Sequence, residues 1–212
     1  MDQLDVLKKE WQSREQEFPK LSYSDIYEML LKKSSSIVKW IFIISIAELM
    51  FWLSLIFLIP DSYKELTEAL HIKTFIWVSN IIHFAVIGVF IFLFYKNYKS
   101  ITVTDSTKSL MKSILKTRKT VKNFVYYNIG MFVLSSIIMN FIYYNNSDAL
   151  YEFMDFAATG MPQENFVTIF IVSQVIVGIL FLGLLMLFYY LIYGLLLRRL
   201  KGNYKELKKI EV

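Results

Sequence analysis

The sequence contains no cysteine, only two histidines and only three prolines. Without cysteine the chain can form neither a disulfide nor a thiolate metal site. It also lacks the P-loop, GxGxxG, HExxH and GxSxG patterns, so nucleotide binding, zinc proteolysis and serine hydrolysis have no support in the sequence. We therefore predict no catalytic residue, no metal site and no cofactor.

Apolar residues are present in excess. The chain is 56% hydrophobic and 17% aromatic, whereas soluble domains are roughly 45–50% apolar. Four apolar runs are each long enough for the about 20 residues that cross a bilayer, and they cover residues 37–59, 74–95, 124–144 and 167–197. The sequence thus predicts an all-α integral membrane four-helix bundle over residues 37–197. The last run exceeds the bilayer thickness, so we expect it to tilt or to project.

Charge differs between the connecting segments. Residues 96–122 hold eight lysines and arginines against the single acid Asp105, while residues 144–166 hold four acids and no lysine or arginine. By the positive-inside rule, this bias places both termini in the cytoplasm, with an N-terminal arm at 1–36 and a basic tail at 198–212. Membrane orientation accounts for the net charge of +5, so we predict no nucleic-acid partner.

The polar arm has helical patterns of its own. Leu4, Leu7, Trp11 and Phe18 recur with helical spacing and predict a first short helix. Ser22 and Asp25 have the spacing of a capping box, which predicts a second helix that leads into the first apolar run.

The central basic segment, about residues 105–123, is typical of an amphipathic helix with Asp105 as its cap. Its apolar stripe consists of Leu110, Met111, Ile114, Leu115 and Val121. Its basic surface consists of Lys108, Lys112, Lys116, Arg118 and Lys119. Such a helix could lie on anionic headgroups, bind a partner, or pack on the N-terminal arm. We consider packing within the chain as well supported as lipid binding and partner binding combined. A short surface helix is also predicted at 148–156.

Glu48 lies at the midpoint of the first apolar run, where burying a carboxylate costs about 2.5–3.5 kcal/mol. We expect His83, near the middle of the second run, to be its partner. Other polar residues at comparable depth complete a predicted intramembrane polar cluster of Glu48, Asn80, His83, Ser135, Ser136 and Gln174. One interpretation makes Glu48 a proton-titrating group in a small cavity. The other, which we favour, makes the cluster interhelical glue.

Two runs suggest a relationship to known sequences. They are DIYEMLLKKSSSIVKW at Asp25–Trp40 and TDSTKSLMKSILKTRKTVKNFVYYNIG at Thr104–Gly130. Most of the chain resembles a family of small uncharacterised membrane proteins of Bacteroidota, especially flavobacteria, sometimes labelled beta-carotene 15,15'-monooxygenase. The resemblance implies a bacterial inner-membrane location. The label would imply iron held by several histidines, but the chain offers only His71 and His83, so we do not transfer that activity.

Three functions follow from these patterns. The first is a non-enzymatic regulatory or assembly factor that presents its basic cytoplasmic surface to a protein partner or to anionic lipid. The second is a small proton-coupled transporter or exporter that uses Glu48. The third is a membrane enzyme acting on a lipid or polyene. The sequence leaves homo-oligomerisation open.

Overall fold

The computed structural model describes residues 22–104 and 106–210. All secondary structure within these residues is helical. The helices are α1 (Tyr23–Ile56), α2 (Asp61–Ala69), α3 (Lys73–Thr102), α4 (Thr107–Asn145), α5 (Ser147–Phe153), a 3-10 turn (Phe156–Thr159), α6 (Gln163–Tyr189), a π turn (Tyr190–Gly194) and α7 (Leu195–Ile210). The arm helix predicted from Leu4, Leu7, Trp11 and Phe18 lies outside the described residues.

Two of the long helices begin at serine caps. Ser22 forms the predicted capping box with Asp25, and α1 then runs without a break through the first apolar run and ends before Pro60. Helix α4 starts after Ser106, whose side chain accepts from the backbone amide of Ser109, and joins the basic segment to the third apolar run. The predicted cap Asp105 lies outside the described residues.

Residues 22–104 and 106–210 contain four helical rods that are long and apolar enough to cross a membrane, and this suggests a membrane protein. They are α1, α3, α4 and the combined α6, π turn and α7. Successive rods are antiparallel, so the basic segments gather at one end, which we call the basic end. There the helices α1, α3, α4 and α7 close around fully buried side chains, including Ile101, Leu110, Ile114, Leu200 and Leu207.

Packing of the fourth rod changes at the π turn. Before it, α6 packs on α4 but not closely on α1, whereas beyond it α7 packs on both α1 and α4. A π turn adds a residue to the helical repeat and shifts the face that follows. The bundle is therefore closed at the basic end and open between α1 and α6.

The opposite end carries the short helices α2 and α5 over a second small core of Leu66, Leu70, Leu150 and Phe166. The surface helix predicted at 148–156 corresponds to α5. The basic tail predicted from residue 198 onward is helical, because α7 continues to Ile210.

Candidate functional site

Glu48 is buried in the centre of the bundle and bonded to the fourth rod. The Tyr189 hydroxyl donates to Glu48 Oε1 at 2.6 Å, and the Tyr193 hydroxyl donates to Glu48 Oε2 at 2.9 Å. All three side chains are less than 10% exposed. Two donors, one for each oxygen, offset part of the cost of removing a carboxylate from water.

Helical spacing places Glu48 in this position. The buried residues of α1 are Leu30, Ser34, Val38, Ile41, Ser45 and Glu48, each three or four positions after the last. Glu48 thus continues the stripe that faces the core. Tyr189 ends α6 and Tyr193 lies in the π turn, so the irregular part of the fourth rod supplies both hydroxyls. π turns of this kind are frequent at functional sites.

His83 has a different neighbour. Its ring stacks on Tyr127 with centroids 5.7 Å apart and planes inclined by 13°, and Nδ1 lies 3.3 Å from the Tyr127 hydroxyl. Among the described residues, no hydrogen bond joins His83 to Glu48. The structure therefore corrects the expected Glu48–His83 pair. Tyr189 and Tyr193 occupy the carboxylate oxygens of Glu48, and Tyr127 contacts the His83 ring.

A polar cavity of about 230 Å³ lies between the four rods in the open half of the bundle. Three residues of the predicted cluster line it, namely Asn80, His83 and Ser135. The Ser136 hydroxyl instead donates to the Phe132 carbonyl of its own helix, and Gln174 is exposed on α6. The six predicted residues thus do not form one layer.

An apolar groove of about 450 Å³ opens between α1 and α6, where these helices diverge. Glu48 lines this groove together with Ala47, Phe51, Phe181 and Phe188. Trp52 lines both the groove and the polar cavity, and Tyr189 lines the cavity while it holds Glu48. The carboxylate therefore lines the apolar groove, while its partner Tyr189 lines the polar cavity.

Nothing in the sequence singled out the two tyrosines. Tyr189 and Tyr193 fall near the end of an apolar run, where tyrosine is typical of the membrane interface. Their four-residue spacing agrees with a common helix face but does not indicate which residue they contact.

The predicted basic surface is formed by α4. Lys108, Lys112, Lys116 and Lys119 are exposed, and their spacing places them along one side of the helix. Arg118 is half-buried, and its Nε is buried without a hydrogen-bond partner. We refer to the four exposed lysines as the lysine ridge.

The apolar stripe of the same segment packs within the chain. Leu110, Ile114 and Val121 are fully buried against α1, α3 and α7, Met111 is half-buried and Leu115 is exposed. Packing inside the molecule is thus the outcome for most of the stripe. The described contacts include the second half of the predicted arm, residues 22–36, because Tyr23 hydrogen-bonds to Thr107 and Leu30 shares a buried cluster with Leu110 and Ile114. Residues 1–21 of the arm lie outside the described residues.

His71 has a structural role at the end of α2. It adopts a left-handed conformation with φ 57°, its amide donates to the Glu68 carbonyl, and the Ile72 amide donates to the Thr67 carbonyl. These two bonds form a Schellman cap. Within residues 22–104 and 106–210, no three histidine, aspartate or glutamate side chains are grouped so that they could hold a metal ion.

These features define an all-α protein with four helices of membrane-spanning length and a carboxylate held inside the bundle. The chain belongs to the family described as domain of unknown function DUF8845, which matches residues 24–212. No curated protein and no solved structure matches the chain.

Proposed function

We propose that this chain is a non-enzymatic protein of a bacterial inner membrane whose lysine ridge binds an acidic protein partner in the cytoplasm. The single observation that carries the proposal is the exposure of the ridge on a helix whose apolar face is already buried in the bundle. Exposed cations on a rigid support attract a complementary surface and set its orientation.

The proposed orientation places both ends of the described chain in the cytoplasm. It is supported by the basic end of the bundle, where α1, α4 and α7 carry most of the lysines and arginines, and by the acids at the opposite end. The Bacteroidota setting suggested by the sequence resemblance belongs to the same proposal.

Geometry favours a protein over anionic lipid as the occupant of the ridge. At 1.5 Å per residue, Lys108 lies about 24 Å along α4 from Phe124, the first residue of the third apolar run. The surface potential of a membrane falls off within a Debye length of about 8 Å. Headgroups could therefore reach the residues nearest the membrane but not Lys108 or Lys112.

The ridge is also available for an external acid. In the described part of the chain, the ion pairs join Lys64 to Asp61, Lys73 to Glu68, and Lys209 to Glu206. None of these pairs uses a lysine of the ridge.

The test is affinity purification from native membranes with the four ridge lysines changed to glutamate. The matched control changes Lys201, Lys205, Lys208 and Lys209 of α7 to glutamate, which alters the net charge equally. We expect a stoichiometric partner with the wild-type protein and the control, and its loss with the ridge variant. Recovery of the protein alone, or with only anionic lipid bound, would overturn the proposal.

A second candidate, proton-coupled transport, is favoured by Glu48, which lines the groove and accepts a hydrogen bond from Tyr189, a residue that lines the polar cavity. A carboxylate inside a membrane bundle is a typical proton-coupling group. In liposomes, uptake of a candidate substrate driven by a proton gradient should be abolished by Glu48→Gln. The control Glu152→Gln, which changes an acid on the surface of α5, should retain this uptake. Equal uptake by both variants would exclude Glu48 as the coupling acid.

A further inference from the structure

The groove between α1 and α6 combines an apolar wall with one acid. Its lining is nearly all hydrocarbon and aromatic ring, and Glu48 supplies the carboxylate. The volume of about 450 Å³ is within the range of small-molecule sites. Lipid would cover this face of a membrane protein, so a molecule that enters the groove must be soluble in the bilayer.

Among the described residues, no cationic side chain forms an ion pair with Glu48. Its described partners are the Tyr189 and Tyr193 hydroxyls and the Trp52 side chain, and none of the ion pairs in the described residues involves it. Hydroxyl donors satisfy hydrogen bonds but leave the net charge of an ionised carboxylate uncompensated, and this is costly in a low-dielectric surrounding. A carboxylate has about four lone-pair sites, so capacity for a further contact remains.

The aromatic rings that line the groove together with Glu48 provide further binding surface for a cation. Phe51 and Trp52 of α1 face Phe181 and Phe188 of α6 across the groove. The faces of aromatic rings attract ammonium groups, and cages of such rings are the usual means of recognising quaternary ammonium ligands.

We propose that the α1–α6 groove binds a lipophilic organic cation, with its charged group beside Glu48 and its hydrocarbon or aromatic body against Ala47, Phe51 and Phe188. The cation supplies the countercharge that the described protein residues do not, and it enters laterally from the bilayer. This site goes beyond the cytoplasmic partner proposed above. Binding also involves no transport step, so its outcome is separate from that of a transport assay.

The test uses the full chain in nanodiscs of zwitterionic lipid, titrated with dodecylbenzyldimethylammonium by calorimetry, with empty nanodiscs as the baseline and dodecylbenzene as the uncharged analogue. We expect saturable one-site binding of the cation only. Glu48→Gln should weaken binding by about tenfold or more, because the buried charge pair is lost. The control Glu164→Gln changes an acid at the start of α6, away from the groove, and should leave the affinity unchanged.

A second variant tests whether the groove is the binding site and leaves the net charge unchanged. Ala47→Phe places a ring in the apolar space and leaves Glu48 and both tyrosines in place, so it should also abolish binding. Unchanged affinity in Glu48→Gln would show that the carboxylate does not hold the cation and would overturn the proposal. Loss in Glu48→Gln with full binding in Ala47→Phe would overturn the groove as the site. If Glu48→Gln fails to fold, the Ala47→Phe result still decides the proposal.

Discussion

Tyr189 donates its phenolic hydrogen to Glu48 Oε1 across 2.6 Å and thereby joins residues that are 141 positions apart in the chain. This bond ties the middle of the first apolar helix to the fourth, directly before the π turn. Tyr193, within that turn, donates its hydroxyl hydrogen to the other carboxylate oxygen, Glu48 Oε2. The carboxylate thus connects two helices that diverge on one side of it and pack together on the other.

Removing either hydroxyl should destabilise the bundle. We expect Tyr189→Phe or Tyr193→Phe to cost about 1–3 kcal/mol, because each leaves a buried carboxylate oxygen without its donor. Thermal or denaturant unfolding in a mild detergent measures the change. The matched control is Tyr190→Phe, since that neighbouring side chain is 66% exposed. If Tyr190→Phe lowered the stability as much as Tyr189→Phe or Tyr193→Phe, the role of the two buried hydroxyls as stabilising donors would be contradicted.

The same arrangement predicts a rescue. In the Tyr189→Phe/Tyr193→Phe background, Glu48→Met should restore stability, because an apolar residue of similar size no longer needs the missing donors. Unfolding of the double and triple variants under the same conditions provides the comparison. A triple variant less stable than the double one would show that the carboxylate has another strong partner.

The orientation can be measured directly because the chain has no cysteine. We expect Lys205→Cys on α7 to be shielded from a membrane-impermeant maleimide in intact cells and labelled after lysis. Glu152→Cys on α5 should be labelled in intact cells. Both positions are exposed in the fold, so accessibility reports the side of the membrane. The reverse pattern would place the lysine ridge outside the cytoplasm.

The π turn should accommodate one extra residue in the fourth rod. Because five residues in a π turn rotate the helix about as far as four residues in an α turn, deletion of Leu191, an exposed residue of that turn, should leave the rotation of α7 unchanged. Asn203 donates to the Ser34 hydroxyl at 3.0 Å, so a short bismaleimide should link Ser34→Cys to Asn203→Cys both in the full-length chain and in the deletion variant. Ser36→Cys, on an exposed face of α1, is the control for Ser34→Cys. Loss of this link in the variant without Leu191 would refute this role.

The cap of α1 predicts a pH dependence. Hydrogen bonds from the Ser22 side chain and backbone amide hold the pKa of Asp25 below its ordinary value. Because the folded pKa is the lower one, the stabilisation is present above the unfolded pKa of about 3.9 and is lost as pH falls through the folded pKa. Asp25→Asn should therefore lower the unfolding temperature at neutral pH and converge with the wild type in acid. Glu28→Gln, one turn later, is the control, and a gap for Asp25→Asn that persists in strong acid would contradict the mechanism.

Local features were predictable from the sequence. The Ser22 cap and the helix that leads from it into the first apolar run depend on residues a few positions apart. The sequence also identified Glu48 as a buried acid in need of a partner. For the stripe containing Leu110 and Ile114, it left packing within the chain level with the two other outcomes together, and most of that stripe is buried in the structure.

The partners of Glu48 were not predictable in the same way. A helical pattern shows which face of a helix is apolar, but rotation and tilt against the other helices depend on packing along their whole length. A π turn shifts the face by one residue without a sequence signature of its own. His83 was the expected partner because of its depth, whereas tyrosines from the fourth rod reach the carboxylate.

Composition and periodicity alone thus determined four apolar helices, an asymmetric distribution of charge and a single acid in an apolar run, since these depend on transfer free energies of local segments. Tertiary structure decided that Glu48 bonds to Tyr189 and Tyr193, that the polar residues divide between a cavity and a groove, and that the four lysines of the ridge remain exposed. Those outcomes depend on how helices distant in the chain rotate and pack against one another, and no local pattern encodes that arrangement.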